Sequence, residues 1–272
     1  MAKSHPKKII PTQKAKVADC VKAMKSLTYS PALIIADPPY NFGQPYDAYK
    51  DSKSHNEYLA WSTEWIATAT KALAPTGSMW IFCPDEWVSE IDIIARRDSK
   101  LYKRNHVIWA FTFGQNCRSK FSRSHCHLLY FTKSKSKFTF NSSALKVPSA
   151  RKLVYNDKRA DVTGKVPDDT WMLLENQLLP HMGGSRDTWL ESRICGTFKE
   201  RKKHSPNQIP VPIMTRIVAA CSNAGDRVVD PFAGTCASGV ACAKLGRSWE
   251  GFDLSKTCVV EGNKRIAEVV QE

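Results

Sequence analysis

The chain has 272 residues, 42% hydrophobic and 24% charged, which excludes a disordered or collagen-like composition and suffices for one large domain with a substantial core. Its net charge of +14 is segregated: residues 96–165 hold seventeen Lys and Arg against three acids, whereas residues 32–95 hold three against nine. That pattern predicts a polyanion-binding face, nucleic acid first, with a solubilising surface as the plain alternative; no apolar run is long enough to span a bilayer and no signal peptide is evident.

In chain order, residues 1–16 are basic and proline-containing and are expected to form a mobile arm. "VADCVKAM" leads to a short apolar strand, Leu33–Ala36, that breaks into Asp37-Pro38-Pro39-Tyr40. The apolar spacing then predicts an amphipathic helix from about Asn56, a Pro-Thr-Gly turn and a buried strand, Ser78–Cys83. "WVSEIDIIARR" reads as a helix. "NHVIWAFT" and "CHLLYFTK" read as strands separated by the basic loop "GQNCRSKFSRS". Within "SHCH", His125 and His127 flank Cys126, but zinc needs further ligands and none is evident nearby, so a strand edge and no metal are expected. Nine cysteines without a CxxC pair predict reduced thiols in a cytosolic compartment.

Residues 141–203 are polar, and "DTW" occurs at Asp169–Trp171 and Asp187–Trp189, where each is expected to cap a short helix. A proline-opened helix follows from Val211 to about Ser222, then "GDRVVDPFAG", a helix to about Leu245 and the strand "SWEGFDL". Alternating strands and helices predict an α/β fold with a doubly wound, mostly parallel sheet.

"VVDPFAGTCASGVACAKLGRSWEGFDLS" is a strand, a small-residue turn, a helix and a second strand ending on Asp253. Such a turn lets backbone approach a ligand, and an acid on the next strand can accept from ribose hydroxyls. With neither GxGxxG nor a Walker lysine, a nucleoside without pyrophosphate fits best.

Together, DPPY and the later DPFAG resemble the amino-group DNA methyltransferases that use S-adenosylmethionine, in the permuted, beta-type motif order. The resemblance extends to "ADC" at 18–20, "EYLAWSTEWI…LAPTGSMWIF", "YFTKSKSKFTFN" and "HSPNQIPVPIMTRIV", and so covers most of the chain. It implies a Rossmann-like methyltransferase fold divided into a basic arm (1–16), a catalytic half (17–140), a target-recognition segment (141–203) and a cofactor-binding half (204–272). The target is an exocyclic amine of a base in double-stranded DNA, with N6 of adenine favoured. N4 of cytosine, an RNA adenine and a catalytically inactive DNA-binding paralogue are the alternatives. The setting implied is the nucleoid in the cytoplasm of a prokaryote or phage-infected cell; a homodimer and a partner restriction nuclease are left open.

An exocyclic amine is a poor nucleophile because its lone pair is delocalised, so two acceptors on its N–H groups would both aim and activate it. The resemblance implies Asp37 and the Pro38 carbonyl for that role, with Pro39 stiffening the turn and Tyr40 stacking on a base rotated out of the duplex. It likewise implies cofactor contacts from Asp19 and Cys20 near the adenine, and from Asn207 and Gln208 near the methionine end. Phe232, Gly234 and Thr235 would line the methionine and sulfonium and Asp253 would hold the ribose, with Asp230, Pro231 and Leu254 as further cofactor-binding residues. Many relatives have Gly-x-Gly after the phenylalanine, where this chain has Gly234-Thr235-Cys236; a Cβ there predicts an altered approach to the cofactor. Arg118, Lys120, Arg123, Lys133, Lys135, Lys137, Arg151 and Lys152 are expected to neutralise phosphates.

Overall fold

Leu33 to Ala36 are fully buried along their whole length, which a strand achieves only when both of its faces are covered. The computed structural model, which describes residues 12–111, 117–147, 149–153, 155–171, 201 and 207–271, shows how. Among the described residues eight strands form one sheet: β1 (Gln13–Val17), β2 (Leu33–Ala36), β3 (Ser78–Cys83), β4 (Tyr102–Ala110), β5 (His125–Thr132), β6 (Thr170–Trp171), β7 (Arg227–Asp230) and β8 (Ser248–Asp253). Their order is β1-β8-β7-β2-β3-β5-β4-β6. β1, β8, β7, β2 and β3 are mutually parallel, whereas β5 runs antiparallel to both β3 and β4.

The described residues also form the α-helices α1 (Cys20–Lys25), α2 (His55–Ala72), α3 (Val88–Ile93), α4 (Ala150–Leu153), α5 (Val211–Cys221), α6 (Ala237–Lys244) and α7 (Lys256–Gln271). Strand alternation sorts the core into two layers. Leu33, Ile35, Trp80 and Phe82 pack with Ile213 and Ile217 of α5 and Val240 of α6. Ile34, Ala36, Met79 and Ile81 pack with Met24 of α1 and Tyr58, Trp65 and Ile66 of α2. Each large apolar side chain buried this way contributes roughly 1.5–3 kcal/mol, and a one-residue slip of β2 would swap the layers. α2 begins at His55 because Ser54 and Glu57 close a capping box, each side chain bonded to the other's backbone N–H.

The chain turns one way from β2 through α2 to β3, and the other way from β7 through α6 to β8. β2 and β7 are neighbours, so the sheet's switch point lies between their carboxyl ends, where Asp37 and Asp230 stand.

Two expectations are corrected. Residues 13–16 are not part of a mobile arm: they belong to β1, which pairs with β8, with Ala15 bonded through both backbone groups to the Asn263 amide. Thr170–Trp171 does not open a helix either; it is a two-residue strand beside β4. The second DTW, Asp187–Trp189, lies outside the described residues, as does most of 172–203.

Candidate active site

The switch point opens into a cavity of about 280 Å³. Its walls are the turn after β2, the loop 46–53, the turn after β7, the end of β8 and the start of α1. Of the candidate residues, Asp37, Pro38, Pro39 and Tyr40 line it together with Asp19, Cys20, Asn207, Pro231, Phe232, Gly234, Asp253 and Leu254. Asp37 and Pro231, 194 positions apart, therefore meet because β2 and β7 are adjacent.

The Asp-Pro-Pro-Tyr turn is held by donors from below. Tyr58 Oη donates to the Pro39 carbonyl at 3.0 Å, and Trp87 Nε1 donates to the Tyr40 carbonyl at 2.8 Å. Prolines 38 and 39 bring no N–H of their own. Among the described residues no donor reaches the Pro38 carbonyl, and Pro38 lines the cavity beside Asp37. Tyr40 Oη donates to Asp37 Oδ1 at 2.7 Å, leaving Oδ2 unengaged among the described residues, and lies 3.6 Å from Cys126 Sγ. Burial pushes the Asp37 carboxyl up to about 6, with the Tyr40 hydrogen bond opposing that rise. The Tyr40 phenol is pushed well above its ordinary value by burial and by the neighbouring Asp37 charge.

Opposite, Asp253 Oδ2 accepts from Gly234 N at 2.8 Å and Oδ1 from Ser255 N at 2.8 Å, tying the end of β8 to the turn after β7. Gly234 has φ +47, and a Cβ there would meet nothing nearer than the Phe232 carbonyl at 3.9 Å, so the space above it is open. Phe232 is fixed edge-on between Trp61 and Trp65, at 5.7 and 5.3 Å.

Asp230, Thr235 and Gln208 do not line the cavity. Asp230 is buried and accepts from Ser238 Oγ and from Phe232 N, so its carboxylate shapes the turn from behind. Burial lifts its carboxyl to about 7. Thr235 is buried against Arg265, which donates to its carbonyl at 3.0 Å, and Gln208 is buried. Asp19 does line the cavity, while its carboxylate caps α1 through Lys22 N at 3.0 Å. Cys20 beside it is buried, its thiol pushed up to about 12.

Cys236, for which an altered approach to the cofactor was expected, does not line the cavity. It takes the left-handed conformation, φ 57, that glycine would adopt freely, and is fully buried outside the cavity. Its sulfur occupies the room left by Gly262, where a Cβ would overlap it.

The sequence reading overlooked the loop 41–53. Asp51 is 3% exposed, and its carboxylate accepts from the backbone N–H of Asn41, Phe42 and Gln44 at 2.8, 2.9 and 3.1 Å. Asn41 in turn exchanges hydrogen bonds with both backbone groups of Lys53. So pinned, the loop presents Tyr46, Asp47 and Tyr49 to the cavity, and Asp47 accepts from Ser255 Oγ at 2.8 Å. The local signal was the pair Asn41 and Gly43, both at positive φ, which marks a tight loop rather than a plain turn.

The basic candidates divide. Arg118 and Lys120 are exposed on the loop that leads into β5, and the Arg123 guanidinium lies 5.3 Å over Phe42, itself edge-on to Tyr40. Through Phe42 that loop lies near the Tyr40 end of the turn, although none of its described residues lines the cavity, and Phe121 on it is fully exposed. Lys133, Lys135 and Lys137 do not join this face. β5 runs antiparallel to β3, so they follow its end at the opposite end of the strands, beside the start of β3, where Lys133 Nζ donates to the carbonyls closing α2. Arg151 pairs with Asp157 and Lys152 is half-buried on α4, and no described contact brings either to the cavity.

A family model described as DNA methylase, of the N6/N4 methyltransferases, matches residues 32–264. The chain is 32% identical to the type II methyltransferase M.HpaI of Haemophilus parainfluenzae over 92% of its own length and 72% of the relative's. It is 29% identical to the DNA adenine methyltransferase YhdJ of Escherichia coli strain K12, over 86% and 75%. Its fold is similar to that of the M1.HpyAVI–SAM complex, with TM-score 0.63, 22% identity and 93% and 98% coverage. The cytosine-N4-specific PvuII DNA methyltransferase is likewise similar, with TM-score 0.62, 14% identity and 96% and 93% coverage.

Proposed function

The chain belongs to the N6/N4 DNA methylase family, whose methyl donor is S-adenosylmethionine, and from that premise we propose that it methylates N6 of adenine in double-stranded DNA. The carrying observation is the pair of acceptors left open at the turn: Asp37 Oδ2 and the Pro38 carbonyl, in a motif where the Pro39 and Tyr40 carbonyls are taken. An adenine amine rotated into the cavity would give one N–H to each, which turns its lone pair outward toward the methyl donor. The Tyr40 ring offers the stacking face.

The cavity fits the donor. Gly234 leaves open space for close approach, Asp253 stands where ribose hydroxyls would be received, and Phe232 is locked beside them. When bound, S-adenosylmethionine supplies an electrophilic sulfonium methyl. The chain's own part is to aim the nitrogen in line with it, exclude water with the 46–53 loop, and accept at Asp37 the proton the nitrogen sheds. Arg118 and Lys120 would contact phosphates on the side of the Tyr40 turn, with Arg123, already paired with Asp85 and Glu86, adding less, so affinity should fall with salt. A DNA substrate is in keeping with action on chromosomal or phage DNA in a prokaryotic cytoplasm; among the described residues no helix is long and apolar enough to cross a membrane.

Adenine is favoured by the similarity to a named adenine methyltransferase and by an aspartate at position 37. The test is transfer of labelled methyl from S-adenosylmethionine to unmethylated duplex DNA, followed by digestion to nucleosides. Label in N6-methyladenine, abolished by Asp37→Ala, is the expected result. Label in N4-methylcytosine would keep the site and overturn the base.

A further inference from the structure

The His125-Cys126-His127 run sits on a strand, so its two imidazoles emerge on one face of β5 and Cys126 on the other. β3 lies alongside with Cys83 opposite His127, which brings Asp85, two residues past Cys83, level with His125. Asp85 Oδ1 is 2.6 Å from His127 Nε2 and 3.1 Å from His125 Nε2, and the three ligand atoms all lie within 4.8 Å of one another. On its far side His127 Nδ1 is 2.7 Å from His106 Nε2, which fixes the ring with Nε2 aimed at the cluster. The second Asp85 oxygen faces Arg123 Nε at 3.3 Å, so the two functions of the carboxylate are separated by atom.

We infer that Asp85, His125 and His127 form a binding site for a divalent transition-metal ion of the zinc class. Two imidazoles and one carboxylate suit zinc better than the oxygen-seeking calcium or magnesium. Ligand bonds near 2.1 Å in a tetrahedron place donor atoms about 3.4 Å apart, a spacing that the observed 2.6 to 4.8 Å brackets, so only small side-chain shifts are needed. His106 supplies the outer hydrogen bond that metal-bound histidines characteristically make. His125 and Asp85 are part-exposed, at 34% and 45% of their side chains, which leaves an entry path and a fourth position for water. The missing third ligand of the sequence run is thus forty residues upstream, delivered by strand pairing.

The ion would clamp the end of β3 to the start of β5. Cys126, between the two histidines, has its sulfur 3.6 Å from the Tyr40 hydroxyl, so the clamp stiffens the wall behind the catalytic turn and anchors the basic loop 117–124. This inference does not depend on the base that is methylated.

The full chain, without a polyhistidine tag, stripped with a chelator and kept reduced, is titrated with zinc and with cobalt(II). One equivalent should bind, cobalt giving visible bands of a four-coordinate nitrogen–oxygen site without the near-ultraviolet charge-transfer band of a thiolate. His106→Gln should weaken zinc by about 10–100-fold, and His125→Asn or Asp85→Asn by more. Zinc should raise the melting temperature of the wild type and not that of His125→Asn, whose melting in chelator shows whether it folds. Absence of stoichiometric binding, a thiolate band, or equal affinity in a folded His125→Asn would overturn the site and leave a plain hydrogen-bond chain in its place.

Discussion

Asp37 is placed where it costs stability, and Asp37→Asn measures how much. Its carboxyl titrates near 6 in the folded chain against an ordinary 3.8, because burial penalises the charged form. A raised folded pKa means that the native state holds the proton more tightly than the unfolded chain. Asp37 is therefore harmless below the unfolded value and increasingly destabilising as pH rises from about 4 to about 6, after which the penalty is constant. Two units correspond to about 3 kcal/mol, and water in the open cavity reduces this to roughly 1–3 kcal/mol. Asparagine keeps an oxygen for the Tyr40 hydroxyl and removes the charge. Urea unfolding should show Asp37→Asn more stable than wild type by about 1–3 kcal/mol at about pH 8, the gain shrinking as pH is lowered through 6. Methyl transfer should be lost at every pH. A variant less stable than wild type at high pH, or a difference independent of pH, would refute the reasoning.

Tyr40→Phe removes the hydroxyl that holds the Asp37 carboxyl down while keeping the ring, so the acid limb of kcat/KM against pH should move upward with the plateau little changed; an unmoved limb would detach Tyr40 from Asp37. Asp51→Ala leaves three backbone N–H groups of the 41–53 loop without their buried acceptor; about 2–3 kcal/mol of stability should go, and calorimetry should show weaker S-adenosylmethionine binding. Gly262→Ala forces a Cβ onto the Cys236 sulfur and should cost about 1–3 kcal/mol by thermal or urea unfolding, most of it recovered in Gly262→Ala with Cys236→Ala. Phe121→Ala should slow methylation of a fully paired duplex more than of one with an abasic site opposite the target, where rotation of the base is already cheap; equal slowing would make Phe121 a surface residue only.

The central strands and both motifs were legible because their signals are local: Leu33–Ala36 and Ser78–Cys83 are unbroken apolar runs bounded by proline or glycine, and both are buried on two faces. β1 was not, because Gln13–Val17 is an edge strand with one buried side chain, Ala15, among charged neighbours. β6 is too short to carry a period. The basic residues Lys133–Lys137 were grouped with Arg118–Arg123, but β5 between them carries the two to opposite ends of the strands, and which end faces the site is a property of the sheet rather than of the run. Tyr46, Asp47 and Tyr49 reach the cavity only through the three hydrogen bonds of Asp51, a long-range closure that no spacing announces. Cys236, read as an intruder among glycines, is accommodated by Gly262, twenty-six residues later.

The most direct test is a crystal structure of the protein with a non-transferring analogue of S-adenosylmethionine and duplex DNA carrying its target base. The account predicts that base outside the duplex, its ring on Tyr40 and its amine nitrogen within hydrogen-bond distance of both Asp37 Oδ2 and the Pro38 carbonyl. A base still stacked in a productive complex, or an amine held by other groups with the Pro38 carbonyl idle, would contradict it.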